Sequence, residues 1–461
     1  MRVLTRRAAA MTGVAAVSLV VAACGGDSDG GSGGAAELTI STNAIVGGKN
    51  TEEAEWIENW LIPEFERAQE RAGTEVDVTF EPSGVDDEQY KSRLALDLQS
   101  GSGPDVFALD GIWLGEFAEA GYVAPLSETS PDSENWEGWE QIPDAVQELA
   151  MFDDERYGIP AGTDARVLFY NKELFQEAGL PADWQPTSWA EVLDAAEALS
   201  GVDGVTPIQL NGGTAMGEAT TMQGVLPLLA GTGEEIYADG RWTGASQGLT
   251  DTLGLYEDIY GGGLGDPELQ QETQGRDKSF EQFAGGEIGI LLESEYLWHD
   301  VINPDTGVAP MDNRDEAVGY AMIPAMEPGQ GVRGQDFVSM SGGGVRVINP
   351  ASDNADLAYE LLEFMSSAEA FEASLESGPR MTPRTDVNEA TMGDDPLMNF
   401  LTAEVLPLTS YRPSLAIYPQ VSVLLQEATA AVVGGDSAED AANQYREDLE
   451  EVVGGADSIT P

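Results

Sequence analysis

Chemistry in a chain of 461 residues needs nucleophiles, bases or metal ligands, and this chain holds one cysteine, Cys24, and one histidine, His299. A single thiol cannot form an intramolecular disulfide, and one imidazole beside one thiol does not make a transition-metal site. A Ser-His-Asp triad would have to use His299, which stands in the apolar and aromatic stretch ESEYLWHD, where a packed or capping histidine is the plainer reading. Carboxylates are the abundant reactive group, but they are scattered through the chain rather than grouped at metal-ligand spacing, so neither a metal nor a cofactor is expected. Among them, Asp110, Asp164 and Glu293 could supply the carboxyl pair of a glycosidase, ~5–5.5 Å apart for retention or ~6.5–9.5 Å for inversion. Acids and aromatics in a concave site also bind sugars without reacting with them. Hydroxyls take charged and amide partners, and C–H faces stack on Trp or Tyr.

The position of Cys24 suggests a covalent role. Arg2, Arg6 and Arg7 precede the apolar run Ala8–Ala23, with no acid before Asp27. That run is too short and too rich in small residues to span a bilayer, and its anatomy is that of a secretory leader. The ending Val21-Ala22-Ala23-Cys24-Gly25 resembles the lipobox of bacterial lipoproteins, in which the cysteine becomes the lipidated first residue of the mature chain. Residues 1–23 then read as signal peptide. Residues 24–36, rich in Gly, Ser and Asp, read as a flexible tether between lipid and folded body. Thr5-Arg6-Arg7 also fits a twin-arginine export signal, which leaves the export route open.

The body from residue 37 is too long for one core and predicts two domains. A hydrophobic fraction of 42% and nine tryptophans support a well-packed interior. Asp and Glu number 82 against 21 Lys and Arg, a formal net charge of −61 that deepens once the three leader arginines are removed. This argues against nucleic acid or anionic lipid as a partner of the body, leaving Cys24 as the only membrane contact. It suits a solvated acidic surface at high salt, where screening removes self-repulsion.

Elements alternate along the body. ELTIST, EVDVTFEP and DVFAL read as strands separated by helices over 51–71 and around Tyr90, Leu94 and Leu98, and this order predicts a parallel, doubly wound sheet. YGIPAGTDARVLFYN is a strand-rich crossing, and PTSWAEVLDAAEALSG is a helix opened by a capping box at Ser188 and Glu191. FAGGEIGILLES and GGGVRVINP are further strands, and the last helix starts at Ser437.

These pieces, in order, resemble the sugar-binding group of extracellular solute-binding proteins of ABC importers, the maltose-binding type. The matching segments are GSGPDVFALDGIWLGEFAEAGYVAPL, YGIPAGTDARVLFYNKELFQEAGL, FAGGEIGILLESEYLW, GGGVRVINPASDNADLAYELLEFMSS and YRPSLAIYPQVSVLLQEA. The resemblance implies an α/β, two-lobed, periplasmic-binding-protein-like fold of type II, with discontinuous lobes, a hinge and a ligand cleft between them. One lobe is expected from residues 37–157 with 335–392 and the other from 158–334 with 393–461. It also implies a monomeric receptor without catalysis, a carbohydrate ligand, and the transmembrane subunits of an ABC permease as partner.

Candidate ligand residues follow, each with a plainer alternative. Lys49 and Asn50 occupy a strand-end loop beside Gly47-Gly48, where doubly wound folds place ligands; Lys49 is one of four lysines in the chain and could equally be a solvated loop residue. By resemblance, Asp110 and Trp113 supply a polar and an aromatic contact, against a helix-capping Asp and a core Trp. Asp164 is placed by resemblance as a sugar-binding carboxylate after the hinge, against a pair with Arg166. Glu293, Tyr296 and Trp298 emerge where the family places a stacking aromatic; two residues apart, one ring should face the cleft and the other the core, and Tyr296 aligns best. Gly343, within Gly342–Gly344, lets the backbone approach ligand or hinge closely, against a plain tight turn. Arg380 and Arg412 are possible clamps or salt-bridge partners, and Tyr418 a second stacking surface. The competing readings are a secreted glycosidase, or the same fold binding a polyamine or peptide.

Overall fold

Leu38 and Ile40 alternate with the more exposed Glu37 and Thr39, and the segment Ala36–Thr42 is accordingly a half-buried strand. It lies parallel to both Val76–Pro82 and Val106–Asp110. Two helical crossings, Thr51–Ala72 and Asp87–Ser100, make the connections. The first crossing widens by one π turn at Ile57–Leu61, just ahead of Pro63, a residue with no N–H to give to a tighter turn. It ends at Gly73 with φ 92°.

In this computed structural model the described residues are 35–85, 87–376, 378, 380–392 and 395–460. Cys24, the leader and the tether as far as residue 34 lie outside them.

Gly344–Ile348 inserts antiparallel between Val106–Asp110 and Gly158–Pro160, completing a five-stranded sheet. A second sheet runs Val318–Ala321, Arg166–Asn171, Ile288–Ser294, Thr206–Gln209. Its two middle strands are buried along their whole length, as expected of a sheet covered on both faces. Phe337–Ser341 sits between Ile323–Pro324 and Thr409–Tyr411 in a small third sheet. It is also tied to the second sheet through Ser339 Oγ, which accepts from Arg166 N–H and donates to Arg166 O at 3.0 Å each.

Two strands therefore fall on the far side of the expected boundaries. Gly158–Pro160, assigned from sequence to the second lobe, hydrogen-bonds in the first sheet. Phe337–Ser341, assigned to the first, sits with the second. The chain passes between sheets within residues 161–165 and again at Gly342-Gly343. Pro396–Val405, near the third expected crossing, contributes Leu397, Met398, Leu401 and Val405 to a core that also contains Ile40 and Ile159 of the first sheet and Val167 and Leu291 of the second.

Candidate functional site

The two crossings lie against each other. Ala161 N–H donates to Gly344 O at 2.8 Å, and Gly111 N–H donates to Gly343 O at 3.0 Å. Gly343 has φ 147°, and a Cβ there would stand 2.2 Å from Gly162 O, so only glycine fits. Asp164 holds the same junction: its carboxylate accepts from Gly342 N–H and pairs with the Arg166 guanidinium.

Around this junction the elements deliver a ring of charge. Asp110 ends the third strand of the first sheet and caps the following turn through Ile112 N–H at 3.1 Å. Arg412 follows the strand Thr409–Tyr411 and reaches Asp110 at 3.5 Å and Glu218 at 3.2 Å. Glu218 also accepts from Tyr418 Oη at 2.7 Å and Ser422 Oγ at 2.5 Å. Burial pushes the Asp110 carboxyl above its usual range, against the pull of Arg412, although 40% of its side chain stays open. Burial alone would lower Arg412, but Asp110, Tyr418 and Glu218 more than reverse this and keep it charged. Glu295 accepts from Ala165 N–H at 3.1 Å in the crossing. Its burial, with Asp164 close by, pushes its carboxyl up to about 8.

A cavity of about 240 Å³ opens beside Arg412 and Gly342, between Gly111, Ile112 and Leu149 on one side and Leu226, Ala230 and Ile236 on the other. Ser414 closes one edge, donating to Gly111 O at 2.8 Å and accepting from Gly115 N–H at 2.7 Å. The fit there is tight enough that a Cβ on Gly115 would lie 1.7 Å from Ser414 O.

One residue past Glu295, Tyr296 leaves 44% of its surface exposed. Its ring is tilted against Phe280 at 6.2 Å and has the Arg276 guanidinium 6.0 Å from its centroid. Arg276 forks onto Glu293, with Nε to Oε2 at 2.9 Å and Nη2 to Oε1 at 2.7 Å. Trp298 is 3% exposed. It packs edge-on to Tyr320, with the Arg314 guanidinium 3.9 Å over its ring.

The structure thus gathers Asp110, Asp164, Gly343, Arg412 and Tyr418 at the crossings, and Tyr296 follows Glu295, which hydrogen-bonds to one of them. Several candidates are committed to partners within the protein or to its core. Trp113 lies in the first-lobe core with Phe107 and Leu114, and Trp298 in the core shared by both sheets; neither ring lines an opening. Tyr418 is 1% exposed, so it offers a hydroxyl to Glu218 rather than a stacking face. Glu293 is fully buried under Arg276 and committed to that ion pair. Lys49 pairs with Asp87 at 2.6 Å, and Asn50 donates to Asn43 O at 3.0 Å, on a loop that also exposes Ile45 and Val46. Arg380 pairs with Glu52. Sequence reasoning missed Arg276, Glu295 and Ser414. The scarcity of basic residues in so acidic a chain is the one sequence signal that could have pointed to Arg276.

The family described as bacterial extracellular solute-binding protein matches residues 48–370. The chain belongs to that family. This solute-binding protein is 24% identical over 278 residues to a binding protein of Brucella abortus, a match covering 59% of the chain and 61% of the relative. It is 30% identical over 180 residues to the diacetylchitobiose binding protein of Streptomyces coelicolor, 38% of the chain and 39% of the relative. A solute-binding protein of an ABC transporter from Thermotoga lettingae, solved with α-D-tagatose, superposes with a TM-score of 0.65 at 25% identity. That superposition covers 91% of this chain and all of the other, and it shows the two-lobed α/β fold of periplasmic binding proteins. Among the described residues no helix is long and apolar enough to cross a membrane, and no group of three or more His, Cys, Asp or Glu is placed to hold a metal ion.

Proposed function

We propose that this solute-binding protein is the extracytoplasmic receptor of an ABC importer, anchored by lipid on Cys24, binding a carbohydrate between its lobes and delivering it to the permease. The observation that carries the reading is Tyr296, an aromatic face left 44% open in a well-packed chain and next in sequence to Glu295, which hydrogen-bonds to the interlobe crossing. A planar apolar face next to fixed carboxylates and guanidinium groups matches the two chemical sides of a sugar ring. Support comes from the relative that binds diacetylchitobiose and from the fold relative holding tagatose. In this reading the lobes are residues 36–160 with 344–392, and 166–341 with 395–460, a division supported by the strand pairing, and the receptor acts as a monomer.

Thermal unfolding of the full chain against mono- and oligosaccharides, with polyamines and peptides alongside, tests this. A ligand at ~100 times its Kd adds ~2.7 kcal/mol of stability. A shift with one sugar class is expected. A shift with a polyamine or peptide alone would overturn the carbohydrate reading and leave the receptor. Incorporation of labelled palmitate that Cys24→Ser abolishes is expected of the anchor, and unchanged labelling would refute it.

A further inference from the structure

Arg276 is held in a way that ordinary surface arginines are not. Its Nε and Nη2 are both committed to Glu293, a carboxylate with no exposure at all, and Glu293 is fixed in turn by its own strand and by Ser294 N–H at 2.9 Å. The guanidinium plane rests 5.2 Å from the Phe280 ring and 6.0 Å from the Tyr296 ring. Burial would lower its pKa, but the hydrogen bond and charge of Glu293 reverse that, so the cation persists. Yet 31% of the side chain remains exposed, and Nη1 makes no hydrogen bond among the described residues. A bidentate fork fixes a guanidinium in orientation as well as in place. The remaining nitrogen is therefore a preorganised donor beside an open aromatic face, with little side-chain entropy left to lose on binding.

We infer that Arg276 is a ligand-contacting, specificity-determining residue. Its Nη1 donates to an acceptor oxygen of the sugar ring that stacks on Tyr296, and Glu293 acts through it as a positioning residue. This rests on the carbohydrate-receptor reading. The acceptor can be a ring hydroxyl or the carbonyl of an N-acetyl group, chemistries a donor-only cation serves equally; two probes separate them.

The test is calorimetric titration of the full chain with maltotriose, which offers only hydroxyl and ether oxygens, and with N,N′-diacetylchitobiose, which adds acetyl carbonyls. The variants are Arg276→Gln, Arg276→Lys and the double variant Arg276→Gln with Glu293→Gln, which leaves no buried charge unpaired and keeps the test valid if the single variant unfolds. Wild type is expected to bind at least one probe, and loss of the charged hydrogen bond to weaken it about 10- to 100-fold. A loss larger for N,N′-diacetylchitobiose assigns an acetyl carbonyl as the acceptor and an equal loss assigns a ring hydroxyl, while an unchanged denaturation midpoint separates either from loosening of the fold. Arg276→Lys should recover only part of the affinity. A folded double variant that binds within about twofold of wild type would overturn the inference while the receptor reading stands. Wild type that binds neither probe, with no sugar shifting its unfolding temperature, overturns the carbohydrate reading and the inference with it.

Discussion

The carbonyl of Gly162 occupies the space that a side chain at Gly343 would need, 2.2 Å from the Cβ position. Two crossings between lobes are thereby pressed together at their backbones, and the φ of 147° at Gly343 adds a conformation that L-residues rarely adopt. Gly343→Ala is expected to destabilise the protein by about 2–4 kcal/mol, combining backbone strain with displacement of the neighbouring crossing. Gly47→Ala is the comparison: it has φ 75° but nothing within 4 Å, so only the strain of about 1 kcal/mol should appear. Equal denaturation midpoints for the two variants would refute the close approach.

Tyr296 and Trp298 stand two residues apart and should answer differently to the same change. Tyr296→Ala removes a ring that is 44% exposed, so sugar affinity should fall at least tenfold while stability changes little. Trp298→Ala empties a core site and should cost about 3–5 kcal/mol, with Arg314 losing its stacking partner and Asp395 its Nε1 donor. Titration and chemical denaturation on both variants separate the roles, and reversal of the pattern would reverse the assignment.

The contrast between these two rings shows what was legible in the sequence. Alternation within ELTIST and the unbroken apolar run before Glu293 identified strands, because burial on one face or two leaves a direct pattern. Ser188 and Ser437 open their helices as the capping motifs require, accepting from Glu191 N–H and Asp440 N–H. Lobe membership was less legible. Gly158–Pro160 and Phe337–Ser341 are short strands whose sheet is decided by partners more than 170 residues away or by hydroxyl contacts such as Ser339 to Arg166. The site was half legible for the same reason. Asp110, Asp164 and Arg412 meet because a strand end, a crossing and the segment after Thr409–Tyr411 converge from distant parts of the chain, and the link from Arg276 to Glu293 spans 17 residues that carry no periodic mark.

Glu295 makes stability depend on pH in a direction opposite to that of a salt-bridged acid. An ordinary glutamate ionises near pH 4.3 in the unfolded chain, whereas in the fold burial and Asp164 raise this carboxyl to about 8. Between those values the folded state binds more protons than the unfolded state, so stability falls as pH rises through that window and is fullest below it. Glu295→Gln removes this dependence while keeping an acceptor for Ala165 N–H. Denaturation at pH 5 and pH 8 should show a smaller loss in the variant than in wild type. The same loss in both would mean that Glu295 is ionised throughout.

Charge at the surface sets the response to salt. With a net formal charge of −61, like charges repel across the whole body, and the Debye length shrinks from ~10 Å at 0.1 M salt to ~3 Å at 1 M. Repulsion among exposed acids is then removed, while close buried pairs such as Arg276 with Glu293 are screened much less. The unfolding temperature should therefore rise between 0.1 M and molar NaCl by several degrees, with most of the gain below 1 M, where the screening length changes most. Replacing NaCl with sucrose at equal osmolality separates screening from solute exclusion, which also favours burial. A melting temperature that does not move with NaCl, or that sucrose raises equally, would show that self-repulsion does not limit this fold.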